Sequence, residues 1–218
     1  MKEFIGCFKS CLNGIKKSLL FKAISVLKSD PIFSESGIID FSILDEIDDY
    51  VLGKVFRKLS SGHKSIILTI TKLVQTVEEK TLVFLDEPEG HLHPPLLSAF
   101  IRALSELLIN RNGVAIIATH SPVILQEVPK SCVWKIRRNG EISKSERLQI
   151  ESFGESIDTL TSEVFGLEVT HSGFHNILFE AVKKYGNYED IIDEFNGELG
   201  LGAKSILKAM IATYNEEE

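Results

Sequence analysis

The chain has 218 residues, 44% of them hydrophobic, so it can bury one sizeable core and carry a small appended subdomain. Its 31 acidic residues outnumber its 24 Lys and Arg residues, and the net charge of −7 argues against a protein built mainly to coat nucleic acid. Three scattered cysteines indicate a reducing compartment rather than a disulfide framework. Since no apolar run approaches the roughly 20 residues of a membrane span, we expect a cytoplasmic protein.

The first 28 residues contain six Lys and one Glu. Apolar residues recur every three or four positions over 4–27, which predicts one amphipathic helix. A basic helix of this kind either lies on a membrane surface or phosphate, or packs on the core with solvated lysines, and we favour the core interpretation. Asp30-Pro31 ends this helix, residues 29–40 read as a loop, and 42–56 read as an acidic helix with Ser42 as its N-cap.

A polar segment, Leu59-Ser60-Ser61-Gly62-His63, precedes a predicted helix over about 62–78. Serine and glycine at a helix N-terminus leave backbone N–H groups and the positive end of the helix dipole free to bind phosphate. As an isolated feature, such a segment is more often a simple helix cap.

The run Leu82-Val83-Phe84-Leu85 leads into Asp86 and Glu87. A short continuous apolar run predicts a strand buried on both faces, as in a parallel sheet, and ligands bind beyond the carboxyl ends of such strands. Adjacent carboxylates there suit phosphate chemistry, because one can hold Mg²⁺ while the other orients or deprotonates water. The alternative is an acidic turn after a core strand.

A second apolar run, 114–118, follows a helix predicted to begin at Pro94 and to end at Asn112-Gly113. Strand, helix and strand joined by short connections predict a right-handed unit with parallel strands. If the strands are neighbours, His120 lies beside the two acids and can donate a hydrogen bond to a phosphate oxygen. Beyond this unit, residues 131–150 predict a β-hairpin around Asn139-Gly140, and helices follow from 155 onward.

The segments Leu-Ser-Ser-Gly-His, Leu-Val-Phe-Leu-Asp-Glu-Pro and Ala-Thr-His-Ser-Pro follow one another in the order found in the second half of an ABC-type ATPase, which this part of the chain resembles. Residues 59–63 resemble the signature motif, 82–87 resemble Walker B with its catalytic glutamate, 89–93 resemble the D-loop, and His120 resembles the switch histidine. His93 stands where transporters usually carry aspartate, so the run from Asp86 is more similar to stand-alone ATPases related to SMC and OLD proteins. The continuation after Thr119 is similar to the ATPase subunits of Septu-type and retron-associated anti-phage systems.

The resemblance implies that Asp86 acts on Mg²⁺ through water, Glu87 is the general base, and His120 senses the γ-phosphate. His93 would occupy the D-loop position. The signature residues that would contact ATP held by the opposite subunit are Ser60, Ser61, Gly62 and His63. ATP and Mg²⁺ are the implied cofactors.

No Walker A sequence, Gly-x-x-x-x-Gly-Lys-Ser/Thr, precedes the signature. A truncated protein, a split gene and a degenerate paralogue are all compatible with this departure. The expected fold is α/β, a partial P-loop NTPase parallel sheet flanked by helices with a C-terminal helical extension. We divide it into a helical segment (1–58), an ATPase-like core (59–150) and a helical subdomain (151–218).

The expected function is an ATP binding and hydrolysis module that controls a nuclease or a nucleic-acid-linked partner in anti-phage defence. The expected assembly is a homodimer, or a hetero-assembly with a chain that carries Walker A. The alternatives are an inactive ATPase-like scaffold and a fragment of a DNA-repair ABC ATPase.

Overall fold

The computed structural model describes residues 1–36, 38, 47–166 and 173–217. The chain forms two compact units, Met1–Ile157 and Asp158–Glu218. The helices are α1 (Lys2–Ser10), α2 (Gly14–Leu27), α3 (Pro31–Ser34), α4 (Asp49–Lys58), α5 (Ser61–Thr76), α6 (Pro94–Ile109), α7 (Pro122–Leu125), α8 (Ile157–Phe165), α9 (Gly173–Tyr185), α10 (Tyr188–Glu194) and α11 (Leu201–Glu217), with a 3₁₀ turn at Lys130–Cys132. The strands are β1 (Leu82–Asp86), β2 (Val114–Ala118), β3 (Lys135–Asn139) and β4 (Ile142–Glu146).

Strands β1 and β2 pair in parallel, and α6 makes the crossover between them, as predicted from the sequence. The register places Leu82 opposite Val114 and Asp86 opposite Ala118. The carboxyl ends of both strands therefore lie at the same edge of the sheet, and the residues that follow each strand meet there.

The two faces of this sheet differ in burial. Val83 packs with Val77 on one side of the sheet, together with Leu104 and Leu108 of α6. The opposite face is exposed and apolar, with relative accessibilities of 49%, 70%, 60% and 54% for Leu82, Phe84, Val114 and Ile116. The prediction that β1 is buried on both faces is therefore wrong for the described residues, because helices cover only one face of this sheet.

The N-terminal segment forms two helices instead of the single predicted one. The chain turns after Ser10, and α2 begins at Gly14, whose φ of +56° is a conformation that glycine adopts without a steric penalty. Phe4 and Phe8 are fully buried in the main core, whereas Ile15 is 63% exposed although the single-helix pattern placed it inside. The helices pack on the core formed with α5 and α6, so the core interpretation is confirmed.

Two predictions for the segment after α2 need correction: the predicted loop 29–40 contains helix α3 (Pro31–Ser34), because Asp30 caps it and proline suits a first helical turn, and the helix predicted over 42–56 runs from Asp49 to Lys58. Helix α4 begins at Asp49 after the N-cap Asp48, and the predicted cap Ser42 lies outside the described residues. Strands β3 and β4 form the predicted antiparallel hairpin. None of the helices in the described ranges is long and apolar enough to cross a membrane.

The second unit is helical, as predicted. Helices α9, α10 and α11 share a small core of buried residues: Ala181, Val182, Ile191 and Leu207. The three-part division of the chain at 58 and 150 stays a prediction about its organisation.

Candidate functional site

The carboxyl edge of the parallel sheet brings the predicted acids and the predicted histidine together. Asp86 ends β1 and is exposed. Glu87 follows with a φ of +43°, and its backbone N–H donates to Ala118 O at 2.9 Å. His120 Nδ1 lies 3.4 Å from Glu87 Oε1, and both side chains are exposed. The Glu87 carboxylate and the His120 imidazole can therefore both contact one substrate that binds at this edge from solvent.

Glu89 is a residue of this edge that sequence reasoning missed. Its Oε1 accepts hydrogen bonds from Thr119 Oγ1 at 2.7 Å and from the backbone N–H of His120 at 3.1 Å. Its side chain is only 12% exposed. These bonds tie the loop 89–93 to the segment that carries His120. The sequence shows only that Glu89 lies in the loop after β1, because no local pattern predicts its contact with Thr119, 30 residues away.

The pKa of Glu89 is lowered despite its burial. Burial by itself disfavours the carboxylate, but the hydrogen bonds from Thr119 and from backbone N–H groups, with the charge of His120 nearby, outweigh it. Glu89 Oε2 is buried and lacks a hydrogen-bond partner in the described part of the chain. Glu89 is thus an ionised side chain that fixes the backbone of His120.

The segment 59–63, which resembles the signature motif, leads into the N-terminus of α5. Ser60 is the N-cap, and its Oγ accepts from the backbone N–H of His63 at 3.3 Å. Ser60 and Ser61 are exposed, whereas Gly62 is buried against the loop 89–93. A Cβ on Gly62 would lie 3.1 Å from His91 O, so a larger residue would need the loop 89–93 to shift by a few tenths of an ångström. The four signature residues therefore present two exposed hydroxyls at a helix N-terminus.

His63 faces the protein interior. Its imidazole is only 2% exposed, with Nδ1 2.6 Å from Ser60 Oγ and Nε2 2.8 Å from Asp30 Oδ1. The exposed side chains of the signature are therefore the two serines. Any contact of His63 with ATP would have to come from its backbone, and the predicted contact stays a prediction.

Asp30 is the buried centre of a second polar cluster, although the sequence suggested only a helix breaker. Oδ1 caps α3 by accepting from Phe33 N–H at 2.8 Å. Oδ2 lies 2.9 Å from Nε2 of His93, the N-cap of α6. Burial disfavours ionisation, yet hydrogen bonds from His63, Phe33 and His93 hold the pKa of Asp30 below its ordinary value. Asp30 thus links His63 in the first turn of α5 to His93 at the start of α6.

The exposed carboxylates at the sheet edge fit the oxygen ligands that Mg²⁺ prefers. Asp86 and Glu87 are both exposed, so either carboxylate is accessible to an ion in solvent, and Glu87 also lies beside His120. The buried Asp30 has its two oxygens directed at imidazoles, so it belongs to a different chemical environment.

Comparison with known proteins finds a family match for part of the chain. Residues 53–126, from α4 through α7, match the family described as "AAA domain, putative AbiEii toxin, Type IV TA system". The match supports a P-loop ATPase type of family, and such proteins use nucleotide, typically with Mg²⁺. The matched residues contain the signature segment, both strands, the acid pair and His120.

The chain is also similar to Protein ea59 of Escherichia phage lambda. The two sequences are 48% identical over an alignment of 233 residues in length, which covers 98% of this chain and 44% of the phage protein. The chain thus spans less than half the length of this relative.

Proposed function

We propose that these residues form the part of an ABC-type ATPase that runs from the signature to the switch histidine, and that they take part in ATP hydrolysis. One observation carries the proposal: Glu87 and His120 approach to 3.4 Å at the carboxyl edge of paired parallel strands, directly after Asp86. The match of residues 53–126 to an ATPase-type family supports it.

In this proposal Glu87 takes the proton from the attacking water, and His120 donates a hydrogen bond to an oxygen of the transferred phosphoryl group. Glu89 acts as a positioning residue, since it holds the backbone N–H of His120 and the hydroxyl of Thr119. Mg²⁺ held through water by Asp86 would supply positive charge to the phosphate oxygens when bound.

The exposed N-terminus of α5 is proposed to act on the ATP of another subunit. Helix α5 has 16 residues, and Ser60 and Ser61 stand exposed at the positive end of its dipole. The tight packing of Gly62 on the loop 89–93 would couple this end to the D-loop position His93. An arrangement in which two chains share each nucleotide is therefore our proposed assembly, as a homodimer or with a chain that carries Walker A.

The pattern Gly-x-x-x-x-Gly-Lys-Ser/Thr does not occur in the 218 residues, so we propose that the phosphate-cradling loop comes from elsewhere. The exposed apolar face of the sheet supports this. A strand face with residues as exposed as Phe84 (70%) and Val114 (60%) is costly to leave in water. A segment that carries Walker A would bury this face as it packs on the sheet.

The proposed task is control of a nuclease or a nucleic-acid-linked partner in anti-phage defence. Only the resemblance to Septu-type and retron-associated ATPases supports this part. The rival functions are an inactive scaffold and a repair-type ATPase, and turnover distinguishes them. A scaffold would hydrolyse no ATP in any assembly, whereas a repair ATPase would be stimulated by DNA alone.

The experiment measures ATP turnover in two preparations. The isolated 218-residue chain should hydrolyse essentially no ATP, because it lacks the lysine that a Walker A loop places on the phosphates. A protein that contains these residues together with a Walker A segment should hydrolyse ATP. Glu87→Gln should lower its rate at least about 100-fold, the usual effect of removing a general base, and should retain bound ATP.

Glu79→Gln is the matched control, because Glu79 is exposed and lies before β1, away from the edge. It should leave turnover unchanged. Glu87-dependent turnover by the isolated chain would contradict the proposed need for an outside Walker A. Full turnover in the Glu87→Gln protein would contradict the proposed site.

A further inference from the structure

The cluster of Asp30, His63 and His93 has a composition unlike the rest of the described molecule. One oxygen or imidazole nitrogen from each of the three residues lies within 4.8 Å of the others. Asp30 and His63 are buried, and His93 is 44% exposed. We propose that this cluster binds a divalent transition-metal ion of the Zn²⁺ class, separate from the Mg²⁺ that would accompany ATP at the sheet edge.

The donor set matches such an ion. Two imidazole Nε2 atoms and one carboxylate oxygen are the ligands that Zn²⁺ and its neighbours prefer, whereas Mg²⁺ prefers an all-oxygen shell. Both Nε2 atoms already point at the same carboxylate, at 2.8 Å and 2.9 Å. Three protein ligands leave a further position for water, and the exposed His93 side gives an ion access from solvent.

The charge of the cluster favours a cation. Asp30 is fully buried, and the donors directed at it are two imidazoles and the backbone N–H of Phe33. A backbone N–H and imidazole N–H groups satisfy the hydrogen bonding of this carboxylate, but a neutral donor does not cancel a buried negative charge, which is costly in a protein interior. A divalent ion between the carboxylate and the imidazoles would cancel it.

The surroundings provide the second layer of contacts that metal sites use. A metal-bound imidazole is normally fixed by a hydrogen bond from its other ring nitrogen. Ser60 Oγ lies 2.6 Å from His63 Nδ1 and can accept that bond. When the ion binds Nε2, the imidazole keeps its proton on Nδ1 and remains neutral. The Nδ1–H then donates a hydrogen bond to Ser60 Oγ. Asp30 is likewise oriented by Phe33 N–H.

The ion would join three separate segments of the chain. Asp30 follows α2, His63 lies in the first turn of α5, and His93 caps α6. Coordination would replace the two hydrogen bonds between Asp30 and the imidazoles with three metal–ligand bonds, and it would resist separation of α5 from the loop 89–93. We therefore expect the ion to raise the thermal stability of the chain.

The test uses the purified 218-residue chain, freed of metal with a chelator and titrated with Zn²⁺ or Co²⁺ in excess Mg²⁺. The excess Mg²⁺ occupies all-oxygen sites such as the sheet edge. We expect one ion per chain by equilibrium dialysis, the visible absorption of low-coordinate Co²⁺, and a higher melting temperature. His93→Asn removes one ligand and supplies a good N-cap for α6, so this variant should fold while its affinity falls at least about 100-fold.

His91→Asn is the matched control. His91 is exposed, lies two residues away and has a φ of +66°, a conformation that asparagine tolerates. It should keep the stoichiometry, the Co²⁺ spectrum and the thermal shift. Asp30→Asn, which preserves volume, should lose all three. Absence of a stoichiometric ion, or equal affinity in wild type and His93→Asn, would overturn the proposal and leave a purely hydrogen-bonded cluster. Neither result bears on the ATPase proposal, which rests on Glu87 and His120.

Discussion

Asp30→Ala tests how much the buried polar cluster stabilises the fold. The change removes the N-cap of α3, which costs about 1 kcal/mol. It also leaves the buried His63 Nε2 without its acceptor, and a hydrogen bond to a charged group is worth about 1.5–3 kcal/mol. The side chain of His93 is 44% exposed and can form a hydrogen bond with water instead, so loss of its contact with Asp30 adds little to the cost. We expect a total loss of about 3 kcal/mol, or a melting temperature lower by about 6–12 °C.

Urea unfolding of the metal-free chain measures this loss. Chelator keeps the hydrogen-bond contribution separate from any contribution of an ion. Asp48→Ala is the matched control, because Asp48 is an exposed N-cap that accepts from the backbone N–H groups of Tyr50 and Val51 instead of from imidazoles. It should cost only about 1 kcal/mol. The difference between the two variants therefore isolates the imidazole contacts.

Equal losses in Asp30→Ala and Asp48→Ala would refute the reasoning. They would mean that the His63 contact contributes nothing beyond an ordinary helix cap. A double-mutant cycle with His93→Asn gives an independent check, since the coupling energy should be well below that of the His63 contact.

Three further predictions concern Glu89 at the sheet edge, Gly62 at the N-terminus of α5 and the two faces of the sheet. The pKa of Glu89 is lowered on folding, so the carboxylate stabilises the folded state at neutral pH. This stabilisation is lost as the pH falls from the ordinary glutamate value of the unfolded chain, about 4.3, through the lower value of the folded state. Glu89→Gln should therefore flatten the acidic part of the curve of unfolding free energy against pH. Gly62→Ala should lower the free energy of unfolding by about 1–3 kcal/mol in urea, because the new Cβ would lie 3.1 Å from His91 O. Its control is Ser65→Ala on the exposed side of the same helix, which should change that free energy by less than about 0.5 kcal/mol. Phe84→Thr on the exposed face should change the free energy of unfolding by less than about 0.5 kcal/mol. Val83→Ala on the covered face should lower it by about 2 kcal/mol. Reversed values would place the core on the other side of β1.

Local sequence patterns determined most of the elements of this protein. Apolar runs with flanking proline and glycine located β1, α6 and β2, and the short connections required the strands to be parallel. Because parallel strands end at the same edge, the meeting of Glu87 and His120 also followed from the sequence. These inferences depend on neighbouring residues and on chain length, which a sequence states directly.

Pairings between distant segments were decided only by the tertiary structure. Asp30 reaches His63 and His93 across 33 and 63 residues, and Glu89 reaches Thr119 across 30, and no local pattern encodes such separations. The break between α1 and α2 was likewise hidden, since apolar spacing continues through the turn before Gly14. The burial of a strand face depends on what packs against it. The apolar residues of β1 could therefore identify a strand without revealing that one of its faces is open.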